Sequence, residues 1–291
     1  MVSKKSASAK KAAPAVAKKP TTKVTTVKAA STETPAHHTV KSSRAPEESS
    51  TNLLRSFAAE FIGTFILACV VMAIKGEALY VGFALVAIVL MIGTLSGSHV
   101  NPLVTIGAWA TRKITGQRAV IYLIAQVLGA MLALTVLTAY SQAAPKVDPQ
   151  AAMFGQAQVA TLFKAAPLPE GKAWFIFFSE MIGAAIFGFA VSGAMREVRN
   201  RAAQAFAVGL GLSASLIVAG SAALFVSGSA VVNPAIAITV HAIEIPGNAA
   251  AWWALLVYVV GPIIGGTLGF FLYDVLRGER TVGHTRTSDE F

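Results

Sequence analysis

Charge is scarce in this 291-residue chain, at 13% of residues, and acids are scarcer, with 14 Asp and Glu against 24 Lys and Arg. A water-soluble protein carries about 25% charged residues, so a solvated globular surface is excluded for most of the sequence. Cysteine is nearly absent. Cys69 stands alone, which excludes an internal disulfide framework and leaves the redox compartment open. Histidine is sparse too, and the pair His37-His38 has no further ligands at a workable spacing, so no metal centre is expected. The basic N-terminal stretch lacks the apolar core of a secretory signal. It also lacks aromatic residues interleaved with its lysines, which argues against nucleic acid as a partner.

In place of charge the chain has long apolar runs. Residues 57–74, 78–95, 119–140, 173–195, 202–226 and 249–273 are each long enough, at about 20 residues per crossing, to span a bilayer as a helix. The excess charge lies elsewhere. Residues 1–50 hold ten Lys and Arg against three Glu, which is +7 of the net +10. Rich in Lys, Ala, Pro, Thr and Ser and without apolar periodicity, residues 1–54 read as a disordered basic tail beside an anionic leaflet. Arg112, Lys113 and Arg118 follow the second span, Arg196, Arg199 and Arg201 follow the fourth, and Arg277 and Arg280 follow the sixth. With six spans these segments and the tail share one face, which the positive-inside rule makes cytoplasmic. The cell membrane is the expected location, with 141–172 as an outer loop and 277–291 as a C-terminal cytoplasmic tail.

Two short stretches interrupt the apolar pattern, "SGSHVNPLVTIGAW" (96–109) and "SGSAVVNPAIAITV" (227–240). Asn-Pro starts helices, because Asn caps free N–H groups and Pro is tolerated at the first position. Each run after Asn-Pro is only about ten residues long, half of a spanning helix. Non-helical backbone at membrane depth survives only where protein or a water-filled cavity satisfies it. The spacing therefore predicts two re-entrant half-helices, Asn101 leading one and Asn233 the other. "AAEFIGTFIL" (58–67) resembles "FSEMIGAAIFG" (178–188), aligning Glu60 with Glu180 and Gly63 with Gly183. Two repeats of three spans follow, 55–140 and 173–276. An odd number of crossings inverts the second relative to the first. The expected fold is thus an all-α membrane protein with six transmembrane helices plus two re-entrant half-helices in an inverted repeat. Their N-termini, each carrying roughly half a positive charge from the helix dipole, would meet near the midplane and oppose cations, while the Asn amides bond a passing oxygen.

"AEFIGTF", "SGSHVNPLVT", "SEMIGA", "VNPA" and "VGPIIGGTLG" resemble the aquaporin, or major intrinsic protein, family over about residues 55–276. The resemblance implies a homotetramer with one pore per subunit in the lipid bilayer, passing water or small uncharged solutes without a cofactor. By position it implies that Asn101 and Asn233 are the paired pore asparagines. Pro102, Leu103, Pro234 and Ala235 complete the half-helix motifs, and Glu60 and Glu180 brace the loops by accepting backbone N–H bonds. A proton relay is the alternative role for these two acids. His99 resembles a pore-wall position, with a packed and satisfied histidine as the other reading. Gly129, Gly265 and Gly269 fit close helix contacts.

The sequence departs from the family pattern at two places. Leu103 stands where the family has Ala, placing a larger side chain beside the asparagine pair. Ile236 stands where it usually has Arg, and the remaining filter positions map to Val81, Ala230 and Val218, with Ser221 as the ungapped choice for the last. That leaves no aromatic and no cation in the filter. A wider, apolar constriction is expected, which either passes larger neutral solutes or dewets. Ala237, where glycerol-conducting relatives have an acid, argues against a dedicated glycerol facilitator. Two other classes compete with a channel: a secondary active transporter with discontinuous helices, and an intramembrane hydrolase using Ser98, His99 and Ser227. The pattern favours a non-enzymatic channel.

Overall fold

The computed structural model describes residues 50–145, 150, 153–154, 161–243 and 249–278, all within one compact unit, Glu47–Phe291. The N-terminal segment through residue 49, most of 146–160, residues 244–248 and the residues from Glu279 onward lie outside the described residues. The regular elements are helices: α1 (Ser50–Ala73), α2 (Ala78–Ser96), α3 (Pro102–Ala110), α4 (Gly116–Ala143), α5 (Ala173–Ala194), α6 (Arg201–Leu224), α7 (Pro234–Thr239), α8 (Ala249–Leu255) and α9 (Gly261–Leu276). A π-helical turn, Leu256–Val260, joins α8 to α9. Among the described residues, six helical stretches are long and apolar enough to cross a bilayer, the last being Trp252–Leu276. The chain is an integral, multi-pass membrane protein.

The observed bounds differ from the sequence expectation at three places. First, α1 begins at Ser50, inside the stretch assigned to the tail, because Ser50, Thr51 and Asn52 form an exposed polar first turn ahead of buried Leu53. Second, the half-helices are unequal, with nine residues in α3 and six in α7 rather than about ten each. Third, the sixth span is not uniformly α-helical. Pro262 lacks the N–H that would close an α-turn onto the carbonyl four residues back, and just before it Gly261 N–H reaches Leu256 O in a wider π turn.

The two repeats interlock. α1 packs on α4 and α5 on α9, α2 crosses α6 between the halves, α3 packs on α9, and α7 packs on α4. Each half-helix therefore rests on the last span of the opposite repeat. Close approach of the long helices depends on missing side chains, as expected where packing rather than hydrophobicity drives association in lipid. A Cβ on Gly129 would strike Phe61 O of α1, one on Gly265 would strike Met181 O of α5, and one on Gly269 would strike Ala185 O. Large apolar residues such as Phe83, Leu128, Ile182 and Leu268 face outward.

Candidate functional site

The "AEFIG" and "SEMIG" stretches place a carboxylate and a glycine three residues apart, on one face of α1 and of α5. Each face receives the chain just before an Asn-Pro. In the first repeat, Glu60 Oε1 accepts His99 N–H at 2.9 Å and Ser96 Oγ–H at 2.7 Å. Its Oε2 accepts Val100 N–H at 2.7 Å and Gln126 Nε2–H at 2.8 Å. In the second, Glu180 Oε1 accepts Val231 N–H at 2.5 Å and Oε2 accepts Val232 N–H at 2.8 Å. Val100 and Val232, each immediately before its asparagine, have φ of 40° and 53°. A β-branched residue in the left-handed region is strained by about 1–3 kcal/mol and persists only where its surroundings impose it. The glutamate imposes it on the backbone side and the glycine leaves room on the other. A Cβ on Gly63 would come within 2.6 Å of Val100 Cγ1, and one on Gly183 within 3.1 Å of Val232 Cγ2.

Held this way, the two asparagines face each other. Asn101 Oδ1 accepts Leu103 N–H at 3.0 Å, and Asn233 Oδ1 accepts Ala235 N–H at 3.0 Å and Ile236 N–H at 3.3 Å, so each caps its own half-helix. Asn101 Nδ2 donates to Val232 O at 2.9 Å, and Asn233 Nδ2 donates to Val100 O at 3.1 Å. These reciprocal bonds tie the tips of α3 and α7 together. An amide nitrogen has two hydrogens, so one N–H of each asparagine remains beyond those spent on the backbone. Pro102 and Pro234 open the helices, where an absent N–H costs nothing.

Two small cavities lie among these residues, and one of them reaches the junction. One, of about 40 Å³, reaches Asn233 and is lined by Val81, Ala230 and Ile236, three of the residues mapped to the filter, together with Leu67, Val71 and Phe163 among others. The other, of about 20 Å³, is lined by His99, Ser98, Phe187, Val191 and Met195 among others. His99 is packed and also borders a cavity. Its Nδ1 lies 3.2 Å from Thr105 Oγ1 and its ring meets Tyr122 edge-on at 5.1 Å. Ser98 Oγ is buried with no hydrogen-bond partner among the described residues. Ser98 and His99 therefore do not form a nucleophile and base pair.

Three expectations need correction. Val218 does not line the cavity, and neither does Ser221. Both are exposed on the outer face of α6, while Leu212 and Leu216, one helical turn apart, face inward. The larger side chain of Leu103, expected beside the asparagine pair, packs against α9. It is fully buried, and its Cδ1 occupies the space a side chain at Gly266 of α9 would need, 2.7 Å from a Cβ placed there. The filter region is also not free of aromatics, since Phe163 reaches it from the connection between α4 and α5. Gly266→Ala alone is expected to destabilise the fold by overpacking, about 1–3 kcal/mol, and Leu103→Ala in the same chain to recover much of it. A thermal-unfolding double-mutant cycle with no coupling would refute that knob-and-hole pairing.

The sequence reading also missed the polar cluster around Glu60. Gln126 Nε2 bridges Glu60 to Thr105 Oγ1 at 2.9 Å, and Tyr122 Oη–H donates to Ser96 O. A glutamine amid the apolar run of the third span was the available signal.

Fold and site together define a multi-pass membrane protein built as an inverted repeat around two re-entrant helices joined tip to tip. The Major intrinsic protein family model matches residues 47–273, and the chain belongs to that family. Among similar proteins, Aquaporin AqpM of Methanothermobacter marburgensis is 33% identical over 68% of this chain and 75% of its own length. Aquaporin Z of Photorhabdus laumondii is 31% identical over 78% of this chain and 100% of its own. The aquaglyceroporin from Plasmodium falciparum has a similar fold, with a TM-score of 0.56 at 20% identity, covering 76% of this chain and 96% of that one.

Proposed function

We propose that the chain is a passive channel for water and small uncharged solutes that opposes ions and protons. The observation carrying this reading is the reciprocal pairing of Asn101 and Asn233. Their oxygens are turned to their own half-helices as caps, so what each side chain offers a passing molecule is the remaining Nδ2 hydrogen. A water oxygen is bound there and a cation is not. The first-turn N–H groups of α3 and α7 add positive potential at the same place. Glu60 and Glu180 act as loop braces in this reading, since both oxygens of each are engaged by backbone N–H groups. That leaves them poorly placed to serve as the ion ligands a secondary transporter would need. Val81, Ala230, Ile236 and the inward leucines of α6 form the outer constriction, and His99 forms part of the opposite wall.

Channels of the family pattern act as homotetramers, and the same is proposed here. The cell membrane is the proposed location, with both termini cytoplasmic, on the strength of the basic loops at Arg112, Lys113 and Arg118 and at Arg196, Arg199 and Arg201. Vesicles containing the protein should shrink faster under an osmotic step than empty ones, with an activation energy below that of diffusion through lipid. Stopped-flow light scattering reads this directly. Shrinkage equal to that of empty vesicles would remove water from the list of permeants.

A further inference from the structure

We infer that Phe163, supplied by the connection between α4 and α5, is the bore-setting residue of the outer constriction, and that it makes this channel selective for water over polyols. The inference rests on the channel reading above.

The observation behind it is how this loop residue is held. The segment around Phe163 is pinned to both repeats. Phe163 N–H donates to Met72 O at the end of α1 at 3.1 Å, and Ala165 N–H donates to Val240 O at the end of α7 at 2.9 Å. Ala166 N–H donates to Ser229 Oγ at 2.9 Å, in the stretch leading to Asn233. Three anchors within four residues fix the backbone, so the ring is a wall rather than a mobile flap. The ring itself lies against Gly76, where a Cβ would come within 3.1 Å of Phe163 Cε1 and where φ is +72°. Phe163 borders the 40 Å³ cavity that Val81, Ile236 and Leu216 also line.

Loss of the filter arginine alone would open the passage, because Ile236 is smaller and uncharged. Phe163 lines the same cavity from another direction, on the connection between α4 and α5. What remains is narrow, and apart from Asn233 at its inner end the side chains lining it are apolar. Water crosses such a ring in file, keeping hydrogen bonds to the molecules ahead and behind. A polyol must give up hydration on several hydroxyls with no side-chain donor or acceptor but Asn233 to replace it, which is costly. The ring therefore discriminates by bore and by desolvation, where a filter arginine would discriminate by charge and hydrogen bonding.

Full-length protein in vesicles tests this by stopped-flow measurement of water, urea and glycerol permeability. Wild type should pass water and retain glycerol almost as well as empty vesicles. Phe163→Ala should raise glycerol permeability about tenfold, equivalent to 1.36 kcal/mol of barrier, with a smaller change for water. Phe163→Trp should act in the opposite sense and lower water permeability. The glycerol-to-water ratio is the deciding quantity, because a variant that merely folds less well lowers both fluxes together. Water conduction by all three proteins at one common ratio overturns the assignment of Phe163 and leaves the channel reading standing. Absence of water conduction in all three overturns both.

Discussion

Glu180→Leu is expected to yield no folded channel. The substitution strands Val231 N–H and Val232 N–H inside the protein, where each unpaired group costs about 1–3 kcal/mol, and releases the strained φ of 53° at Val232. Those losses are a large share of the roughly 5–15 kcal/mol of net stability typical of a folded protein. The expected result is loss of a monodisperse peak in detergent, and osmotic shrinkage at the level of empty vesicles. Glu180→Gln should be intermediate, because the amide oxygen still accepts one N–H while its NH₂ faces the other as donor against donor. Glu60→Leu should be at least as severe, since Ser96 Oγ and Gln126 Nε2 lose an acceptor as well. A proton relay makes the opposite forecast of a stable, folded Glu180→Leu protein defective only in coupling to a proton gradient. Obtaining that protein would overturn the bracing role.

The same pair of acids shows what the sequence makes legible. An acid in an apolar run is costly and needs a partner, so Glu60 and Glu180 stand out, and the glycine three residues later repeats in both halves. Six spans follow from run length, and the half-helices follow from Asn-Pro with too few residues behind it. Other features depend on facts a linear pattern does not hold. The mapping to Val218 depends on the length of the connection before Asn233, which a linear pattern does not fix. Helix phase would have served better, because Leu212 and Leu216 share a face and residue 218 falls on the other side of the helix. The place of Leu103's larger side chain is not legible either, because the glycine that receives it, Gly266, lies in the opposite repeat. Phe163 carried no signal at all. It sits in an irregular connection, and only its anchoring at Met72, together with that of Ala165 at Val240 and Ala166 at Ser229, brings its ring to the constriction.

Asn233→Asp should convert the barrier against cations into a leak while leaving the helices in place. Asp is about as good an N-cap as Asn, so one carboxylate oxygen keeps the bonds from Ala235 N–H and Ile236 N–H. The other oxygen then faces Val100 O, where Nδ2 had donated. A donor has become a repelled acceptor, and the junction gains a negative charge. At 4 Å a unit charge acts on a cation with about 4 kcal/mol at an effective dielectric constant near 20, enough to change a rate by roughly a thousandfold. Proton leak, followed with a trapped pH dye in vesicles clamped by potassium and valinomycin, should rise by about two orders of magnitude or more after screening by nearby water. Asn233→Ala is the control. It loses a cap worth about 1 kcal/mol and adds no charge, so it should lower stability and water flux without opening a proton path. If Asn233→Asp still conducts water and leaks no more protons than wild type, the selectivity against cations does not reside at the asparagine junction, and the outer ring around Ile236 and Phe163 must carry it.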